Sequence, residues 1–283
     1  MLLVASAVAS VPTPPPVVSL RVDGLPVPAL GVTASPHISA TLPSAGATPI
    51  TALLVTVRRE GGGPIDAAGA DVWSGNATVG AGGPAVHCGA SLLPGASFVV
   101  SARWIYGSGQ RRPAGDGSFD TGLFAEADWR GAPWVGAGHG EFAANFTLSA
   151  ADAAARRGRA YVAAPGGALL FVNGELIGSD TIVGTSNPHH YLIPGSFLTD
   201  ALYFQGVAPW LDWTKQMHSR THDVSSALQP GANQILLKTG CGAWCPSLAP
   251  TCAHSGRMIH TPAGGQPLAR LLLTAGASSV VNR

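Results

Sequence analysis

The sequence predicts an all-β protein made of two β-sandwich modules. Short apolar or alternating runs recur along the chain, the period expected of half-buried strands. Turn formers punctuate them, with Gly 37 and Pro 23 in 283 residues. No long amphipathic helical pattern is present; Ser149–Arg157 is the one helical candidate, with Ser149 as N-cap and Asp152 three residues on. It reads equally well as a single turn between strands.

In chain order, Met1–Val11 is apolar and ends in small residues, like the end of a secretory leader without its basic start. Pro12–Pro16 reads as a stiff extended linker, so residues 1–16 precede the first module. That module spans residues 17–121 and holds the runs Val17–Val22, Ala52–Arg58 and Phe98–Trp104. Leu93-Pro94-Gly95 supplies a tight turn before the last of these. The spacing suits a fibronectin-type-III-like (immunoglobulin-like) sandwich. The second module spans residues 122–276 and is followed by a tail, 277–283. Its runs are Phe142–Leu148, Ala160–Ala164, Ala168–Asn173, Gln234–Lys238 and Leu268–Thr274. Asn173-Gly174 between apolar residues is a hairpin signal, because both positions tolerate positive φ. Asp223 suits a turn in which its carboxylate takes backbone N–H groups, and Gly231 and Asn233 shape the next turn. These are framework roles.

Composition narrows the function. Charged residues are 11% and the net charge is +1, which gives no field to attract nucleic acid or an anionic membrane. No run approaches the roughly 20 apolar residues of a membrane span. Two sequons, Asn76-Ala77-Thr78 and Asn145-Phe146-Thr147, mark Asn76 and Asn145 as candidate glycosylation sites of a secreted or extracellular protein. Cys241, Cys245 and Cys252 cluster, with Cys88 far away. These four are the disulfide candidates, their connectivity open, and a bridge within the cluster is expected over free thiols.

Several segments of the second half fall in a recognisable order. Thr121-Gly122-Leu123-Phe124 leads, followed by Asp128-Trp129 and Trp134-Val135-Gly136. The hairpin Phe171–Gly178 (FVNGELIG) is next, then Thr221–Leu228 (THDVSSAL), Pro230–Ile235 (PGANQI) and Gly240–Trp244 (GCGAW). This order resembles the N-terminal region of bacterial-type α-L-rhamnosidases. The resemblance implies a fibronectin-like domain followed by a jelly roll similar to carbohydrate-binding modules. It also implies that hydrolysis belongs to a separate downstream α/α-barrel, whose carboxylates have no positions to match here. The sequence holds no run of helix pairs, no G-x-S-x-G and no phosphate-binding loop. No catalytic residue, metal or cofactor is therefore assigned, and the chain by itself is expected to be inactive. His218 and His222 have the H-x₃-H spacing zinc accepts, but the cysteines that would complete the site are read as a disulfide.

The expected function is that of a non-catalytic accessory region of a rhamnosidase-like glycoside hydrolase; the alternative is a free-standing extracellular carbohydrate-binding protein. Partners would be a rhamnoside-containing glycan and a catalytic barrel. The connection from Gly178 to His218 departs from the compact family pattern, and His222 stands where Tyr is common. Within it, Tyr203, Trp210, Asp212 and Trp213 are candidate sugar contacts, since aromatic rings stack on sugar C–H faces while polar neighbours fix hydroxyls. The competing reading packs these aromatics onto the sandwich or onto the catalytic barrel. Trp129, Trp134 and Trp244 are assigned to packing.

Overall fold

A computed structural model describes residues 20–43, 49–79, 83–135, 140–154, 157–164, 167–179, 219–240, 269–275 and 278–282. The fold is all-β and divides into two compact units. The first runs to Phe119 without Leu30–Ala34 and Pro94–Ala96; the second takes those two short segments and the chain from Asp120.

The first nine strands are β1 (Leu20–Val22), β2 (Leu25–Pro26), β3 (Ala29–Val32), β4 (His37–Ala40), β5 (Ile50–Arg59), β6 (Val72–Thr78), β7 (Ala85–His87), β8 (Ser97–Tyr106) and β9 (Arg111–Thr121); they belong to the first unit except for Leu30–Val32 of β3 and Asp120–Thr121 of β9. They form two sheets, ordered β2-β1-β4-β7 and β3-β9-β8-β5-β6. Alternation sets which side chains meet. Phe98, Val100, Ala102 and Trp104 of β8 are buried, as are Leu53, Val55 and Val57 of β5. Leu20, Val22, Ile38 and Val86 are buried residues of the other sheet. Phe98 stacks on Phe119 with ring centroids 5.3 Å apart, an arrangement aromatic pairs favour. Gly75 serves a close approach, because a Cβ there would fall 2.5 Å from the Trp73 ring.

The second unit contains a 3-10 turn (Glu126–Trp129), β10 (Trp134–Val135), β11 (Gly140–Leu148), α1 (Ala150–Ala154), β12 (Gly158–Ala163), β13 (Gly167–Val172), β14 (Glu175–Ser179), β15 (Ser219–Asp223), β16 (Gly231–Gly240), β17 (Ala269–Ala275) and β18 (Ser278–Asn282). One sheet is ordered β10-β17-β12-β15, with β18 also on β17; the other is β11-β16-β13-β14. Their facing side chains make a single core of Ala160, Val162, Leu271 and Leu273 from the first sheet against Leu170, Val172, Ile235 and Leu237 from the second. Each fully buried aliphatic side chain is worth about 1.5–3 kcal/mol, so this layer is the main source of the unit's cohesion. The Ser149–Arg157 candidate resolves to one short helix of five residues, α1. Ser149 Oγ accepts the Asp152 N–H at 3.1 Å, the N-cap read from the sequence.

Candidate functional site

The local framework motifs converge in the second unit. Phe171 pairs with Leu176 and Val172 with Glu175, leaving Asn173-Gly174 as a two-residue turn with φ of 51° and 84°. These are the signs a type I′ turn requires. Asn173 then reaches beyond its own hairpin. Its Nδ2 donates to Ala227 O at 2.8 Å and to Asn233 Oδ1 at 2.9 Å, and its Oδ1 accepts the Gln234 N–H at 2.8 Å. The Asn233 side chain is bonded in turn to both the N–H and the carbonyl of Gln229. Two motifs separated in sequence thus form one polar knot that sets the hairpin against the turn leading into β16.

A second cluster is ionic. Asp120, almost fully buried, receives Arg157 Nη2 at 2.7 Å. It also receives Arg159 Nε. Arg159 extends through Nη1 to Asp223 Oδ1 at 2.8 Å. Asp223 also accepts the Ser225 N–H at 2.9 Å, the local turn predicted for it. Burial pushes the Tyr161 hydroxyl up to about 12, and the Asp120 carboxylate adds to that shift. Asp120 and Asp223 share Arg159, and the buried Asp120 carboxylate is neutralised by two guanidinium groups.

The third cluster surrounds Arg270, which is 3% exposed. Its guanidinium carbon lies 4.9 Å from the Trp129 ring centre and 5.8 Å from that of Trp134. Nε donates to Ala132 O at 2.5 Å and Nη1 to Glu126 Oε2 at 2.6 Å. The hydrogen bond from Arg270 holds the Glu126 carboxyl below its usual range. Asp128 Oδ2 accepts the Phe124 and Ala125 N–H groups, both at 2.8 Å, and so shapes the turn that delivers Trp129. The packing role read for Trp129 and Trp134 is what the structure shows. Their use as plates around an arginine is new, and no local spacing announces it.

The outward face of the sheet β11-β16-β13-β14 has a different character. Phe171, Gly174, Gln234, Leu236 and Lys238 line a shallow depression of about 250 Å³. Lys238 is tethered to Glu141 at 2.6 Å and stands 5.8 Å over the Phe171 ring. Gln234 Nε2 donates to Asn145 Oδ1 at 3.3 Å. A ring and an apolar side chain flanked by amide, ammonium and carboxylate suit a pyranose, with its apolar C–H face and its hydroxyls.

Of the remaining expected site residues, Tyr203, Trp210, Asp212 and Trp213 lie outside the described residues, as do Cys241, Cys245, Cys252 and His218. Cys88 is a buried free thiol in the first unit, and burial pushes its pKa up. Asn76 and Asn145 are both exposed, on β6 and β11. His222 packs across Gly178, where a Cβ would lie 2.2 Å from Nδ1. Burial first, and Arg220 second, push its pKa down.

Fold and clusters together define a two-unit all-β protein in which the described ion pairs tie strand to strand and the 3-10 turn to β17. Among solved structures, the chain is similar to the α-L-rhamnosidase from Dictyoglumus thermophilum, at 19% identity and TM-score 0.56 over 90% of this chain and 26% of that one. The α-L-rhamnosidase from Aspergillus terreus gives 19% identity and TM-score 0.54 over 90% of this chain and 27% of that one. The chain therefore has the fold of a part of these enzymes and spans about a quarter of their length. No family model and no curated protein matches the sequence.

Proposed function

We propose that these residues serve as a non-catalytic accessory region of an α-L-rhamnosidase-like glycoside hydrolase. The observation that carries the reading is the fold likeness over 90% of this chain to about a quarter of two such enzymes. Asp120, Asp223, Glu126 and Glu141 are each paired with arginine or lysine, and Asp128 is taken up by backbone amides. In this role the polar knot and the two arginine clusters keep the sandwich rigid, and the Tyr203–Trp213 stretch supplies aromatic contacts to a glycan.

The purified chain is expected to release no aryl leaving group from an aryl α-L-rhamnoside while remaining folded. Sustained turnover that survives further purification would overturn the proposal. Trp210→Ala and Trp213→Ala are expected to weaken binding on a glycan array of rhamnose-containing oligosaccharides without changing the melting temperature. Equal binding by both variants and the parent would reject the glycan role of that stretch.

A further inference from the structure

We propose that Asn145 is an N-glycan acceptor and that the core of its glycan lies across the depression formed by Phe171, Leu236 and Gln234. The sequon supplies the acceptor. Asn145 and Thr147 are two residues apart on β11, so their side chains share a face, and both are exposed. The fold therefore accepts a sugar on Asn145 without displacing any buried group. The intervening Phe146 points the other way, into the core of the second unit.

Register then places the sugar. Asn145 lies opposite Gln234 on β16, and Leu236 of the same strand lies opposite Phe171 on β13. Adjacent strands are about 4.8 Å apart, so the depression begins one strand from the acceptor and its aromatic ring is two strands away. That span is within reach of the first two rings of a glycan core. Ala143, exposed beside Asn145 and opposite Leu236, leaves the path open. The bond from Gln234 Nε2 to Asn145 Oδ1 is kept, because glycosylation uses the amide nitrogen and leaves the oxygen as an acceptor. Phe171 and Leu236 then meet the sugar's C–H face, while Lys238 and Glu141 offer a donor and an acceptor to its hydroxyls.

The chemistry is a group transfer without oxidation or reduction. The co-reactant is an oligosaccharide linked through its anomeric carbon to a polyisoprenyl diphosphate. The Asn145 amide nitrogen forms the new N–C1 bond and gives up one proton. The C1–O bond to the diphosphate breaks, and the lipid diphosphate leaves with the electron pair.

The test is to produce the full chain behind a cleavable secretory leader in glycosylating eukaryotic cells, which supplies the route independently of the chain's own N-terminus. Glycopeptide mass spectrometry is expected to find Asn145 occupied. Asn145→Gln and Thr147→Ala are each expected to abolish that occupancy while leaving Asn76 as it is in the parent. An unmodified Asn145 overturns the proposal, whatever the state of Asn76. For the contact, enzymatic deglycosylation is expected to lower the melting temperature of the parent by about 2–4 °C. It should have little effect in Phe171→Ala, or in Phe171→Leu, which keeps apolar bulk and loses the ring. No shift in the parent, or an equal shift in parent and variants, overturns the placement of the glycan on this face.

Discussion

β8 of the first unit and β17 of the second are both interior strands of their sheets, yet their side chains are distributed in opposite ways. β8 alternates strictly, with Phe98, Val100, Ala102 and Trp104 buried and the residues between them partly exposed. In β17 every residue is buried except Thr274. One face of β17 gives Leu271 and Leu273 to the sandwich core. The other gives Leu272 to a second cluster, with Trp129, Ala132, Tyr161 and Ala163. The 3-10 turn and its flanking residues cover that second face, so β17 and β12 have no wet side. Coverage on both faces changes what a charge needs. Arg103 and Asp116, partnered at 2.9 Å in the first unit, are 36% and 58% exposed. Arg159 and Asp120 are 14% and 5% exposed. The same type of ion pair is an ornament in one unit and an obligation in the other, because only the buried carboxylate has no water to fall back on.

The largest effect that would break this comparison comes from the two aspartates. Asp120→Ala is expected to cost about 3–5 kcal/mol, since it removes the buried carboxylate that both Arg157 and Arg159 bind. Asp116→Ala is expected to cost less than about 1 kcal/mol, as for exposed pairs. Urea denaturation of both variants checks the contrast, and equal costs would mean that the two sites are equally wet. Next comes the core. Leu273→Ala is expected to lose about 2–5 kcal/mol through lost burial and the cavity left behind, whereas Val99→Ala on the partly exposed face of β8 should lose well under half of that. Midpoint shifts at constant slope would measure it.

The smallest effect concerns pH. His222 has a folded pKa below its ordinary value of 6.5, so between the two values the unfolded chain binds more protons than the folded one. Stability therefore rises with pH in that window: the contribution of neutral His222 is fully present above about 6.5 and is lost as pH falls toward the folded value. Arg220 is the charged neighbour that acts with burial in this sense. His222→Gln is expected to flatten the slope of stability between about pH 5 and pH 7, and an unchanged slope would place the titration elsewhere.

Much of the framework is legible in the chain itself. Asn173-Gly174 announces a hairpin because positive φ at successive positions is a local demand, and Asp223 announces a turn because its acceptor contact lies two residues away. The alternation of β8 is equally plain. The ion clusters are not, for Asp120 and Arg159 are 39 residues apart and Glu126 and Arg270 are 144 apart. Arg270 sits in an apolar strand and reads there as an interruption; only the arrival of Trp129 and Trp134 gives it a place. Asn145 stands in a recognisable sequon, but Phe171 lies two strands away across the sheet, and no spacing along the chain connects them.

The sequence by itself determined the all-β class, several of the longer strands, the Asn173-Gly174 and Asp223 turns, and the N-cap of the short helix, but not β9 or the strand β18 in what reads as a tail. These depend on side-chain period and on the φ each residue tolerates, which are properties of neighbours along the chain. Tertiary structure alone decided which charges are buried, that β12 and β17 are covered on both faces, and that a depression lies beside Asn145. Each of these depends on strand order and register, and a register is chosen by the whole set of side chains that must meet across the sheet.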